Sequence, residues 1–263
     1  FDMYRLTYLL RRNPEYSFED FQQHWREVHG PLVAQHATAL KIVRHVQVHN
    51  VANPDDEKPA PANSPRGQML KPYDGVEEVW FRHRDDVVQS LQSSEGQAAQ
   101  AELLADEQKF IDLKHSPGWY CYELPQINPT PENVIAAPGV PIYKTFYVFN
   151  HHASQTLQEA QLYWRMYHGP LVRSFGQAIR ALRYVQVHRL DDDMNETFAA
   201  ARGTEDAPFC GHAELWHDRS SSAAATPEAI AAGQALAEDE SLFIDFSRSS
   251  IWYGKEHVLV DRR

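Results

Sequence analysis

The chain opens on an alternation of apolar and other residues from Tyr4 to Leu10, rich in β-formers, which predicts a strand. Ser17 followed by Asp20 is a helix-start signal, and Phe18, Phe21, Trp25 and Val28 then recur at helical spacing. Gly30-Pro31 should break that helix and open a second short one, since proline suits a first turn but not an interior one. Residues 42–49 read as a second strand, 75–81 as a third, 85–112 as a helix despite Gly96, and 118–123 as a fourth strand. The order β-α-β-β-α-β is the ferredoxin-like unit. Between the second and third strands, residues 50–74 hold five prolines and few large apolar side chains, a polar loop long enough to be disordered or to act as a lid.

The same pattern then occurs again. Trp25-Arg-Glu-Val-His-Gly-Pro-Leu-Val33 returns as Trp164-Arg-Met-Tyr-His-Gly-Pro-Leu-Val172, 139 residues later, and Val46-Gln-Val-His49 returns as Val185-Gln-Val-His188. Thr156 and Glu159 start the helix of the second copy. Beyond the first long loop the offset falls to 136, pairing Gly75, Glu78 and Trp80 with Gly211, Glu214 and Trp216. It falls again to 133 for Phe110-Ile-Asp112 and Phe243-Ile-Asp245, so the spacing changes only where loops belong. The expected organisation is repeat one at 1–124, a linker at 125–141 stiffened by Pro125, Pro129, Pro131, Pro138 and Pro141, and repeat two at 142–258. A four-stranded sheet with helices on one face leaves its other face bare. The expected fold is therefore α+β, two ferredoxin-like repeats packed sheet to sheet as a single-chain pseudo-dimeric α+β barrel.

Composition narrows the function. With 25 Lys and Arg against 36 Asp and Glu, the net charge of −11 disfavours nucleic acid and anionic membranes. No apolar run approaches the roughly 20 residues of a membrane span, and two cysteines are too few for a disulfide framework. A soluble, cytoplasmic protein with a small-molecule partner is expected, with pairing of two chains left open.

Each copy resembles an EthD-type domain of the dimeric α+β barrel superfamily. The residues that carry the resemblance are the Trp-x-x-x-His-Gly-Pro-Leu segment after an alternating first strand and the terminal Trp119-Tyr120 and Trp252-Tyr253 strands. Copy two has Tyr163 before its tryptophan, the commoner family form, where copy one has His24. The long loops at 50–74 and 189–208 exceed the family's minimal size. The superfamily spans cofactor-free cyclases, decarboxylases, isomerases and anthrone oxygenases, and also haem proteins, so the resemblance implies a fold more narrowly than a reaction.

Several polar residues recur at matched positions. His29 and His168, before Gly-Pro, are candidate general acid/base groups or helix-end caps. On strand two, His45, Gln47 and His49 share one face, as do Tyr184, Gln186 and His188; they form either a polar pocket wall or contacts to the partner sheet. Tyr8 and Tyr147, with Tyr4 and Tyr143, are candidates to orient an enolate oxygen or are core aromatics. Glu78 and Glu214 share a face with Trp80 and Trp216 and are either tuned carboxylates in a substrate pocket or ion-pair partners of Arg5 and Lys144. No metal, phosphate or dinucleotide motif is present.

The expectation is a cofactor-independent acid/base enzyme, a decarboxylase, cyclase, dehydratase or isomerase. Its substrate would be a hydrophobic oxygenated small molecule such as an aromatic or polyketide acid or lactone. His29 or His168 would move the proton, while His49 or His188 with Tyr8 or Tyr147 would hold the oxygens. Two alternatives stand beside it: a haem-dependent oxidoreductase with one histidine as ligand, and a small-molecule binding protein without turnover.

Overall fold

Alternation sorts the side chains of each strand onto two buried faces. In the computed structural model, which describes residues 3–130, 134–219 and 225–263, strand β1 (Tyr4–Leu10) is buried along its whole length. Tyr4, Leu6, Tyr8 and Leu10 pack under helices, while Leu9 belongs to a second core on the opposite face. The first repeat continues through α1 (Phe18–His24), a π-helical turn (Trp25–His29), α2 (Gly30–His36), β2 (Arg44–Asn50), β3 (Gly75–Phe81), α3 (Arg84–Gln92), α4 (Ser94–Phe110) and β4 (Gly118–Ile127). The second comprises β5 (Ile142–His151), α5 (Leu157–Tyr163), a second π-helical turn (Trp164–His168), α6 (Gly169–Ser174), β6 (Ala181–Arg189), α7 (Met194–Arg202), β7 (Gly211–Asp218), α8 (Pro227–Glu240) and β8 (Ile244–Asp261).

The eight strands close into one barrel in the order β1-β3-β2-β8-β5-β7-β6-β4. The last strand of each repeat pairs antiparallel with the second strand of the other, β8 with β2 and β4 with β6. The two expected repeats therefore join at their sheet edges into one closed eight-stranded barrel, and closure leaves no unpaired edge. The barrel interior draws apolar residues from both repeats, among them Val46, Val48, Trp80, Val185, Val187 and Trp216.

Charged residues lie in that interior as well. Arg5 Nη2 donates to Glu78 at 2.8 Å and to Glu214, and Lys144 Nζ donates to Glu78 at 2.5 Å. Burial and the nearby Glu214 carboxylate push Glu78 up to about 8. Glu214, although equally buried, is held well below the usual carboxylate range by Arg5 and Lys144. Glu214 thus takes the ion-pair alternative, while Glu78 is hydrogen-bonded to the same two cations with its charged form disfavoured, and each is shared between the repeats.

Three local expectations change. Helix 85–112 is two helices, because Ser93 is extended and its hydroxyl accepts from the Gly96 N–H, capping α4. Gly30-Pro31 does not break its helix. The Gly30 N–H donates to the Trp25 carbonyl across a widened turn and Pro31 enters the first turn of α2. The linker begins later than expected, since β4 runs on to Ile127; Pro131 lies outside the described residues.

Trp25 is fully buried and its ring rests on Gly75 of β3, where an added Cβ would come within 2.3 Å of the ring and 3.0 Å of the Val48 carbonyl. The matched pair is Trp164 on Gly211, at 3.2 Å. Gly75→Ala is expected to lower stability by about 1–3 kcal/mol through overpacking. Urea unfolding checks this, and an unchanged midpoint would mean that the Trp25 ring is free to shift.

Candidate active site

Between the outer face of the first repeat's sheet and its helices lies a cavity partly open to solvent. Most of its lining is aliphatic or aromatic, including Leu6, Val33, Ile42, Val79, Leu103 and Phe198. Its polar members are few, and the local fold explains how each one reaches it.

His29 closes the π-helical turn, whose hydrogen bond from Gly30 to Trp25 inserts one residue beyond an α-helical turn. Its side chain is 1% exposed. Nδ1–H donates to Asp106 Oδ2 of α4 at 3.0 Å, and Nε2 lies 3.6 Å from Glu77 Oε1 of β3. The same Glu77 oxygen accepts from Trp25 Nε1 at 2.5 Å and lies 3.6 Å from His45 Nε2. Burial disfavours an imidazolium, but Glu77 and Asp106 outweigh it and raise His29 above a free imidazole. Burial alone would raise Glu77, yet His45 and His29 hold it at about 2. Asp106, partly buried, is held well below the usual carboxylate range by the His29 hydrogen bond.

Tyr8 supplies a hydroxyl. It is 2% exposed, and among the described residues its oxygen has no hydrogen-bond partner. Burial pushes its pKa far above that of a free phenol, so it remains a donor. Arg202 enters from the other repeat on α7. Its Nε and Nη2 donate to the two oxygens of Glu107, each at 2.8 Å, and its guanidinium lies 5.2 Å from the Tyr8 ring centroid. The exchange is reciprocal. Arg66, in the first repeat's long loop, donates to both Glu240 oxygens at 2.6 and 2.9 Å and lies 5.6 Å from the Tyr147 ring.

The second repeat keeps half of this arrangement. His168 Nδ1–H donates to Asp239 Oδ2 at 2.6 Å. Where β3 carries Glu77, however, β7 carries Ala213, and where β2 carries His45, β6 carries Tyr184. The Tyr184 hydroxyl accepts from Trp164 Nε1 at 3.2 Å, doing for the indole what the Glu77 carboxylate does in repeat one.

Of the residues singled out in the sequence, the cavity thus gathers His29 and Tyr8. The strand-two row faces the helices, and His49 and His188 also meet His257 and Tyr122 on the paired strand of the other repeat, at 4.5 and 5.3 Å. Gln47 and Gln186 donate to the Trp25 and Trp164 carbonyls at 2.7 and 2.8 Å, and His49 and His188 stack on those indoles at 4.2 and 4.3 Å. Glu78, Glu214, Trp80 and Trp216 point into the barrel, away from His29. The helix-end capping alternative for His29 and His168 also gives way, since each bonds a carboxylate from the neighbouring helix. Asp106, Glu107, Glu77 and Arg202 were not anticipated. Three of them carried a signal: Asp106-Glu107 matches Asp239-Glu240 at the offset of 133, and Arg66 matches Arg202 at 136. Glu77 has no matched partner to reveal it.

The EthD domain family matches residues 13–114 and again 152–247. No curated protein matches the chain. Among solved structures, an anthrone oxidase-like protein is similar over 100% of this chain and 95% of its own, at 11% identity and a TM-score of 0.57. A chlorite dismutase from Candidatus Nitrospira defluvii is similar over 98% and 92%, at 14% identity and a TM-score of 0.42. At 11% identity the likeness to the anthrone oxidase-like protein is one of fold alone.

The histidines should separate in a ring-nitrogen NMR titration between about pH 5 and 8. His29 should lose its charge above 6.5, while His49, lowered well below that value by burial, and His188, at about 3, should stay neutral. Since the folded pKa of His29 is raised, its contribution to stability is full below about 6.5 and fades as the pH climbs through the folded value. A His29 signal that titrates below 6.5 would overturn the electrostatic picture of the site.

Proposed function

The chain belongs to the EthD domain family in both of its repeats, and from that premise we propose that the first repeat is the working half of a small-molecule enzyme. Its site performs acid/base chemistry on a hydrophobic, oxygenated substrate. The observation that carries this reading is the buried His29, held by Asp106 through Nδ1 and facing Glu77 through Nε2, on the wall of an apolar cavity with an unpartnered tyrosine hydroxyl.

In this reading Asp106 fixes the ring orientation, so that Nε2 carries the exchanged proton. Glu77 stabilises the imidazolium and takes part in moving the proton. Tyr8 donates to an oxygen of the substrate, where it would stabilise an enolate or phenolate as charge develops. Decarboxylation, cyclisation, dehydration and isomerisation next to a carbonyl all use this set of groups. The replacement of Glu77 by Ala213 in the second repeat supports assigning turnover to the first.

Haem suits these residues poorly. The Nε2 that would ligate iron faces the Glu77 carboxylate at 3.6 Å, in a cavity whose wall carries a second carboxylate, Glu107.

A turnover screen over aromatic and polyketide-like ketones, phenols, acids and lactones would supply the substrate. His29→Asn should then lower kcat by about 10²–10⁴-fold with folding intact, whereas His168→Asn should leave it unchanged. Full activity in folded His29→Asn would sink the assignment.

A further inference from the structure

Cations and carboxylates at the cavity wall are already matched with one another. Arg202 places two of its three nitrogens on Glu107. His29 stands between Asp106 and Glu77. Three further basic side chains touch this set from outside the lining: Lys109 and His24 reach Asp106 at 3.2 and 3.1 Å, and His45 lies 3.6 Å from Glu77. The two carboxylates that line the cavity, Glu77 and Glu107, therefore each face one lining cation, His29 or Arg202, and among the described residues lining it no cation is left over. A carboxylate entering such a space would lose its hydration and gain no counter-charge, while lying beside Glu77 and Glu107. A neutral oxygen meets the opposite situation. The Tyr8 hydroxyl is buried without a hydrogen bond to another described residue, and the Arg202 guanidinium lies 5.2 Å from its ring. Apart from Ser90 and Gln100 the rest of the wall is aliphatic and aromatic, with Phe198 of α7 beside Tyr8 at 5.0 Å between ring centroids.

We propose that the site takes an uncharged ring compound bearing a carbonyl or hydroxyl oxygen, held by Tyr8 and Arg202, and that Glu107 is the residue that excludes carboxylates. This rests on the first-repeat cavity being the substrate site, and it narrows that reading and the expectation from the sequence, since it removes the acids and with them decarboxylation, leaving cyclisation, dehydration and isomerisation. It also gives the cross-repeat exchange a role. Arg202 sits on the second repeat's chain, so the second repeat completes the first repeat's binding site while its own cavity lacks the Glu77 carboxylate.

The test uses 1-naphthol and 1-naphthoic acid, which share a ring system and differ in charge at neutral pH, with binding measured by calorimetry on the whole chain. The native protein should bind naphthol at least about tenfold more tightly than naphthoate. Glu107→Gln removes one negative charge, keeps an acceptor for Arg202, and should strengthen naphthoate binding by about tenfold with little change for naphthol. Tyr8→Phe should weaken naphthol selectively. Glu240→Gln, the matched change in the second repeat, should alter neither. A native preference for naphthoate, or an unchanged preference in Glu107→Gln, overturns the proposal. His29→Asn separates the two readings. If it keeps native naphthol affinity and native turnover, the acid/base assignment fails while the selectivity stands. If turnover falls as expected and naphthoate still binds best, the selectivity fails alone.

Discussion

A four-stranded sheet covered by helices on one side has a bare face and two open edges, and everything else in this molecule follows from closing them. Pairing β2 with β8 and β4 with β6 satisfies the edges and encloses the bare faces in a single step. Once the barrel is closed, its interior becomes a shared core, and the outer faces of the sheets become floors for cavities under the helices. The same closure brings each repeat's long connector against its neighbour, so that α7 reaches the first repeat's cavity and the loop holding Arg66 reaches the second repeat.

The barrel interior does more than exclude water. Arg5 and Lys144, Glu78 and Glu214, and Glu123 and Glu256 are matched pairs, and they bond both within and between repeats. Trp80 Nε1 donates to Glu123 at 3.0 Å and Trp216 Nε1 to Glu256 at 2.8 Å, so the pseudo-two-fold extends to the indoles. Burying such a cluster is costly, and losing one partner leaves the others uncompensated. Its effect is to fix the register of one sheet on the other, which an aliphatic interior would specify less sharply.

Most of the architecture was legible because periodicity and repetition are local signals. The duplicated Trp-x-x-x-His-Gly-Pro-Leu segment marked the helix that carries His29, and the strand order followed from alternation. What could not be read was which face of a strand would meet which layer. His49 and Gln47 alternate correctly, but alternation does not say that their face packs on Trp25. Asp106 reaches His29 from a helix 77 residues away, a contact that exists only after packing. The connector holding α7 was read as loop, although Met194 and Phe198 recur at helical spacing there and Phe198 and Arg202 line the cavity.

The difference between Glu77 and Ala213 has a meaning that extends past the chemistry of either pocket. In an assembly of identical subunits every substitution appears in all sites at once, so a residue that helps one must be tolerated by the others. Joining the two copies in one chain removes that obligation. One half is free to keep a charged pocket lining while the other changes, contributing Arg202 to its neighbour and a tyrosine where its own carboxylate would have been. The duplication is thus what permits division of labour within a fold that is otherwise symmetric.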